Sequence, residues 1–329
     1  MAHIKNYRQN KKFIYTLIKV KSSEDDESDG CWSESVFESS KTLSNLFFDG
    51  KQLLKDKLDY FKNNKKWYYE KGITYSLGIG LFGPPGTGKT SLIKAISNYL
   101  NCHIVILSLK LIKTKRQLNK FFFEDTYNYK NEKESITFDK KIIVIEDIDC
   151  IGDIILERKN QQNKSKNNAS STNFNSSTNL QGIIKTENDT VKVSDVLQTI
   201  CDINGSMTSS AANNGEQPIT LDDILNLWDG IRETPGRMLI ITSNQYEKLD
   251  SALTRPGRID ITHKLDNASR NTVAEIYYHL FEKNIDVSVL EKINEYFYSP
   301  AELINIYVTH KEEDKFIERL LQNKKLNTV

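Results

Sequence analysis

The stretch GLFGPPGTGKTSLIK, residues 80 to 94, constrains the fold more than any other part of the chain. An apolar run, GIGLF, enters it, and a run with helical periodicity leaves it. Between them Gly83, Gly88, Lys89 and Thr90 satisfy G-x-x-x-x-G-K-[ST]. That spacing demands a strand, a tight glycine-rich turn and a helix, in that order. The backbone N–H groups of Gly83, Pro84, Pro85, Gly86, Thr87 and Gly88, prolines excepted, are then free to wrap a phosphate chain, and the helix start adds its positive dipole end. Lys89 is placed to reach the terminal phosphates, and the Thr90 hydroxyl is placed to meet Mg²⁺. The pattern predicts a site for ATP with Mg²⁺.

A second apolar run, KKIIVIEDIDC, ends in Glu146, Asp147 and Asp149. A buried strand that finishes in acids at the carboxyl edge of a parallel sheet can deliver one carboxylate towards Mg²⁺ and another towards an attacking water. Capping of a following helix is the other use of such acids, and it stays open above all for Asp149. A third run, RMLIITSN, ends in Asn244, whose carboxamide can hold a water with one end and a phosphate oxygen with the other, or can simply serve a turn. The loop TRPGR carries Arg255 and Arg258, three apart, with the planar donor fork that suits a transferring phosphoryl group. Solvated surface arginines are the bland alternative.

Alternation of buried strands with helices (GKQLLKDKLDYFKNN, GIGLF, the loop and its helix, HIVILSL, KIIVIED) predicts an α/β fold with a parallel sheet covered on both faces. An alternating run, FIYTLIKV, predicts a further strand near the start. Thr220 with Asp223, and Ser299 with Glu302 and Pro300 between them, stand at capping-box spacing and mark two helix starts. From about residue 267 the pattern is helical throughout. Between residues 158 and 218 Asn, Ser, Thr, Gln and Gly dominate; the segment predicts a disordered insertion with a short helical pattern at VSDVLQTI.

Taken together, GPPGTGKT, IVIEDID, IITSN and LDSALTRPGRID, in this order, resemble an AAA-type ATPase. Within that superfamily the segments KWYYEKGITYSLGIGLFGPPGTGKTSLI, EDID, TLDDILNLWDG and YSPAELINIYV are most similar to the mitochondrial chaperones that translocate the Rieske iron-sulfur protein for cytochrome bc complex assembly, and to related plant ATPases. The resemblance covers residues 41 to 156 and 217 to 312. It implies a P-loop NTPase core, a parallel sheet sandwiched by helices over residues 41 to 265, and a small helical lid over residues 266 to 329. Residues 1 to 40 resemble the tail of a larger N-domain. It further implies a phosphate-binding loop at Gly83 to Thr90, a Walker B pair at Glu146 and Asp147, a first sensor at Asn244, and fingers at Arg255 and Arg258 that complete a neighbour's site. Asp49 and Gly50 match where the family wraps adenine. Self-assembly into a ring of about six or seven subunits follows from fingers that act in trans. Aligning Ile142 to Ile145 with the Walker B run puts Glu146 towards the metal and Asp147 towards the water, the reverse of the common order.

The leading expectation is an ATP-hydrolysing oligomeric chaperone or remodelling ATPase with a protein client that the sequence does not identify. Two other readings stand beside it: a nucleic-acid motor or loader, and a nucleotide-dependent scaffold without turnover. A balance of 45 Lys and Arg against 44 Asp and Glu leaves no global basic field for nucleic acid or anionic membrane. The second strand is not followed by an aromatic-hydrophobic-glycine loop of the kind that threads chains. No run reaches the roughly 18 apolar residues of a membrane span. The chain therefore reads as soluble, and four scattered cysteines suggest a reducing compartment such as the cytoplasm.

Overall fold

In the computed structural model the described residues are 8, 11–20, 31–127, 135–151 and 218–325. The insertion expected between residues 158 and 218, with its VSDVLQTI pattern, lies outside them apart from Pro218. In chain order the elements are β1 (Phe13–Leu17), β2 (Trp32–Val36), α1 (Lys51–Asn63), α2 (Lys65–Glu70), β3 (Ser76–Phe82), α3 (Lys89–Leu100), β4 (His103–Ile106), α4 (Lys115–Phe123) and β5 (Lys141–Ile145). There follow α5 (Leu221–Asp229), β6 (Arg237–Ser243), α6 (Ser251–Thr254), β7 (Ile261–Lys264), α7 (Arg270–Phe281), α8 (Val287–Leu290), α9 (Pro300–Thr309) and α10 (Glu313–Leu321).

The strands form one seven-stranded sheet in the order β2-β1-β4-β5-β6-β3-β7. Every neighbouring pair is parallel except β1 with β2. This is the α/β architecture expected of a P-loop NTPase core. Its central strands read as unbroken apolar runs because both faces are covered. Along β5, Ile143 and Ile145 enter one core with α4 and α5, while Ile142 and Val144 enter the other with α1 and α3. Period-two alternation is thus present without any polar face.

β3 departs from this symmetry. Leu77, Ile79 and Leu81 fill one core, but the opposite face is glycine, because other parts of the chain lie directly against it. A Cβ at Gly78 would fall 1.7 Å from the Arg258 carbonyl oxygen, and one at Gly80 would fall 2.8 Å from the Tyr246 ring. The chain leaves β3 for β4, three positions away, then fills the two-strand gap with β5 and β6 before crossing to β7. The change of direction beside β3 opens the crevice in which ligands bind in open α/β sheets.

Residues before α1 add strands to that same sheet. β1 pairs with β4, and β2 with β1, so the expected FIYTLIKV strand is an internal member of the sheet and β2 forms its edge. Towards the C-terminus, α7, α9 and α10 enclose a separate apolar cluster centred on Val273, Ile276, Leu303, Ile306, Phe316 and Leu320. Both capping boxes form: Thr220 with Asp223 starts α5, and Ser299 with Glu302, with Pro300 in the first turn, starts α9. No helix among the described residues is long and apolar enough to cross a membrane.

Candidate nucleotide site

The glycine-rich loop joins β3 to α3 with Gly83, Gly86 and Gly88 all at positive φ, 135°, 80° and 105°. At Gly83 the restriction is doubled, since a Cβ would fall 1.8 Å from the Leu265 carbonyl oxygen. Helix α3 begins at Lys89 without any side-chain cap on its first N–H groups. Those donors, with the dipole, are left for an anion. Buried Thr87 braces the turn by donating its hydroxyl to the Pro84 carbonyl at 2.8 Å. Lys89 lies back over the loop and donates Nζ to the carbonyls of Gly83 (2.6 Å) and Pro84 (3.0 Å). Burial lowers its pKa, opposed by the charges of Asp147 and Asp149. Thr90 is exposed at the start of the helix.

Beside the loop lies a cavity of about 430 Å³. Gly86, Thr87, Gly88 and Ser91 form one wall, Phe47 and Phe48 another, and His279, Pro300 and Ile304 a third. Its size and largely apolar lining suit a base and ribose. Phe47 packs on His279 with ring centroids 5.1 Å apart. Asp49 does not face this cavity. Its carboxylate accepts from the hydroxyls of Ser269 (2.7 Å) and Thr272 (3.2 Å), fastening the segment before α1 to the start of α7.

At the carboxyl end of β5 the buried run stops and Glu146 and Asp147 emerge, while Ile148 turns back into the core. The Glu146 carboxyl is raised above the usual range by desolvation and then by the Asp147 charge, with Lys94 of α3 opposing. Glu146 therefore responds to Lys94 in the middle of α3, whereas Asp147 and Asp149 act on Lys89. Asp147 stands at φ 46°, an uncommon conformation for a residue with a side chain. Its N–H donates to Thr242 Oγ1 at 2.9 Å, and its carbonyl accepts from the Cys150 N–H. Asn244 is exposed at the end of β6, with its own N–H donated to Asp149 Oδ1 at 3.2 Å. Loop, acids and Asn244 thus occupy the same edge of the sheet.

Arg255 and Arg258 do not. The Arg258 carbonyl packs on Gly78, and the chain pairs with the start of β3 through Asp260 N–H to Gly78 O (2.8 Å) and Gly78 N–H to Asp260 Oδ2 (2.9 Å). Five residues of extended strand, roughly 16 Å, separate Gly78 from Gly83. Both guanidinium groups bind one carboxylate, that of Asp229: Arg255 at 2.6 Å and Arg258 at 2.8 Å. Arg258 is buried and also donates to the Ala252 carbonyl, whereas the Arg255 side chain is 57% exposed. Burial alone would raise the Asp229 carboxyl, but hydrogen bonds from Arg258 and Arg255 hold it below the usual range. The sequence reading passed over Asp229. The available signal was an acid at the C-terminal end of a helix, where the dipole disfavours it without a partner. Phe47, Phe48 and His279 were also missed, since apolar residues ahead of a helix and a lone histidine carry no motif.

Residues 79–188 match the family described as "ATPase family associated with various cellular activities (AAA)". Sheet, loop and match together define the class: the chain carries an AAA-type ATPase domain. More particularly, it is 28% identical to "Probable mitochondrial chaperone BCS1-B" of Dictyostelium discoideum over 274 residues, 82% of this chain and 52% of that one. It is 30% identical to "AAA-ATPase ASD, mitochondrial" of Arabidopsis thaliana over 233 residues, 70% of this chain and 37% of that one. The chain spans about half the length, or less, of these relatives.

Proposed function

We propose that the protein binds ATP with Mg²⁺, hydrolyses it to ADP and phosphate, and does so in a ring in which Arg255 of one copy, braced by Arg258, serves the loop of the next. The observation that carries this reading is the separation just described. Arginines at the amino end of β3 lie roughly a strand's length from the loop at its carboxyl end, so a single chain holds two complementary half-sites that cannot meet within it. A rotation that brings one copy's arginines to the next copy's loop closes naturally into a ring.

Within one copy, the base and ribose occupy the cavity under Phe47, Phe48 and His279, and the phosphates lie along the loop N–H groups. Lys89 exchanges its two carbonyl partners for the terminal phosphates. The Thr90 hydroxyl and the Glu146 carboxylate would hold Mg²⁺; so few protein oxygens suit an ion that keeps waters and phosphate oxygens in its shell. Bound there, it would neutralise charge on the transferring group. Asp147 orients and deprotonates the attacking water, Asn244 holds that water against the terminal phosphate, and the neighbour's Arg255 stabilises the charge that develops. Buried Arg258 braces the loop that presents Arg255.

The relative named as a probable mitochondrial chaperone supports a role in protein handling for the ring, with the client set by parts of the molecule other than this site. Mass photometry with and without ATP, alongside phosphate release with and without DNA, tests the proposal. Nucleotide-dependent rings with DNA-independent turnover are expected. A monomer that hydrolyses ATP at an undiminished rate overturns the shared site.

A further inference from the structure

The β5–β6 ladder ends at the pair Ile145 and Ile241. Beyond it two parallel strands have no further reason to stay together, yet the groups proposed to handle the attacking water, Asp147 and Asn244, sit two and three residues past that end. Two bonds bridge the gap in opposite senses. A side chain of the β6 end, Thr242 Oγ1, accepts from the Asp147 backbone N–H at 2.9 Å. A side chain of the β5 end, Asp149 Oδ1, accepts from the Asn244 backbone N–H at 3.2 Å. Asp149 lies in the 3₁₀ turn Ile148–Ile151, but it reaches across to the neighbouring strand. Fully buried Ile148 anchors the turn between the two acids. A left-handed conformation at Asp147 costs about 1 kcal/mol, and it persists where the surroundings over-determine it.

We infer that Asp149 is a positioning residue: together with Thr242 it closes a reciprocal clasp between the ends of β5 and β6 that sets Asp147 and Asn244 at a fixed separation for one water. The inference rests on the proposed hydrolysis and goes beyond the Walker B pair, since Asp149 acts through the backbone of Asn244. A clasp differs from a charge effect in a testable way. Its requirement is an acceptor oxygen, which asparagine supplies and alanine does not. A misplacement of about 1 Å in such a site costs on the order of 100-fold in rate.

Asp149→Ala, Asp149→Asn and Thr242→Val are compared in the full chain, each verified as folded by its thermal transition. The expected results are a kcat lowered tenfold to 100-fold in Asp149→Ala, by about these magnitudes, recovery of most of that loss in Asp149→Asn, and affinity for a fluorescent ATP analogue within about twofold of wild type in both. Thr242→Val combined with Asp149→Ala loses little more than the worse single variant, as expected for residues that act as a unit. Hydrogen exchange at the Asn244 amide reads the clasp without reference to turnover: it accelerates in Asp149→Ala and stays slow in Asp149→Asn. Equal losses in Asn and Ala variants, or unchanged Asn244 exchange in Asp149→Ala, overturn the inference. Absence of turnover in the wild type would instead overturn the proposed function, while amide exchange would still decide whether the clasp exists.

Discussion

The two ends of the sheet treat charged residues in opposite ways. At the carboxyl end, Glu146, Asp147, Thr90 and Asn244 are exposed around a loop built to surround an anion. At the amino end three cations are buried and already committed. Lys141, the first residue of β5, is 1% exposed and donates to the Glu124 carbonyl and the Tyr127 hydroxyl. Arg237, the first residue of β6, is equally buried and reaches the Leu227 carbonyl at 3.4 Å. Arg258, against the start of β3, is held by Asp229. A charged side chain at a strand terminus thus stays exposed on one edge and is paired into the framework on the other. Arg255, paired with the same Asp229 as Arg258, keeps an exposed side chain.

That contrast is sharpest in the arginine pair. Arg255→Ala should lower kcat on the order of 10³-fold with stability unchanged, whereas Arg258→Ala should lower both. Mixing Arg255→Ala subunits into wild type should depress turnover beyond simple dilution. Turnover that follows dilution alone would place the arginines outside the neighbour's site. At the opposite edge, Asp147→Asn should reduce hydrolysis by roughly 10²- to 10³-fold while ATP binding persists, and Glu146→Gln should chiefly raise the Mg²⁺ concentration needed. Single-turnover measurements across a Mg²⁺ titration separate the two, and a trapped, ATP-bound Glu146→Gln protein would reverse their roles. Lys89→Ala should weaken ATP binding by about 100-fold, the worth of a charge-assisted contact near 3 kcal/mol, as read by calorimetry.

Smaller effects test the framework. Burial lowers Lys141 to about 8, with the charges of Asp125 and Glu124 opposing. Between that value and the ordinary 10.5 the unfolded chain binds a proton that the folded one does not, so stability rises with pH across this window, by up to roughly 3 kcal/mol. Denaturant unfolding at several pH values should detect the rise, and Lys141→Met should remove it; an identical pH profile in the variant would show that Lys141 is not its source. Last, Asp229→Ala leaves buried Arg258 without its carboxylate and should destabilise the fold by about 2 kcal/mol, with Asp229→Asn intermediate. Equal stability of both variants with wild type would mean that the pair contributes nothing to holding the arginine loop.

Much of this was legible residue by residue where the chemistry is local. A phosphate loop needs glycines at particular neighbouring positions, and a capping box needs residues three apart, so GPPGTGKT, Thr220 with Asp223, and Ser299 with Glu302 declared themselves. The partners of Arg255 and Arg258 did not, because Asp229 is more than 25 residues away and looks, in its own segment, like the end of an amphipathic helix. Nor did the clasp: Asp149 was equally compatible with capping its own turn, and its choice of Asn244, 95 residues on, requires β5 and β6 to be adjacent.

The sequence by itself determined which strands are buried on both faces, where the phosphate loop sits between strand and helix, and that acids end one apolar run and a carboxamide another, since each of these is written in contiguous residues. Only the tertiary structure decided that β1 and β2 extend the same sheet, that Arg258 is buried while Arg255 is exposed, and that loop and arginines lie at opposite ends of β3. Strand order and burial are properties of the packed sheet. Polar side chains at its edges take whichever partner the neighbouring strand presents, and no spacing along one segment specifies that neighbour.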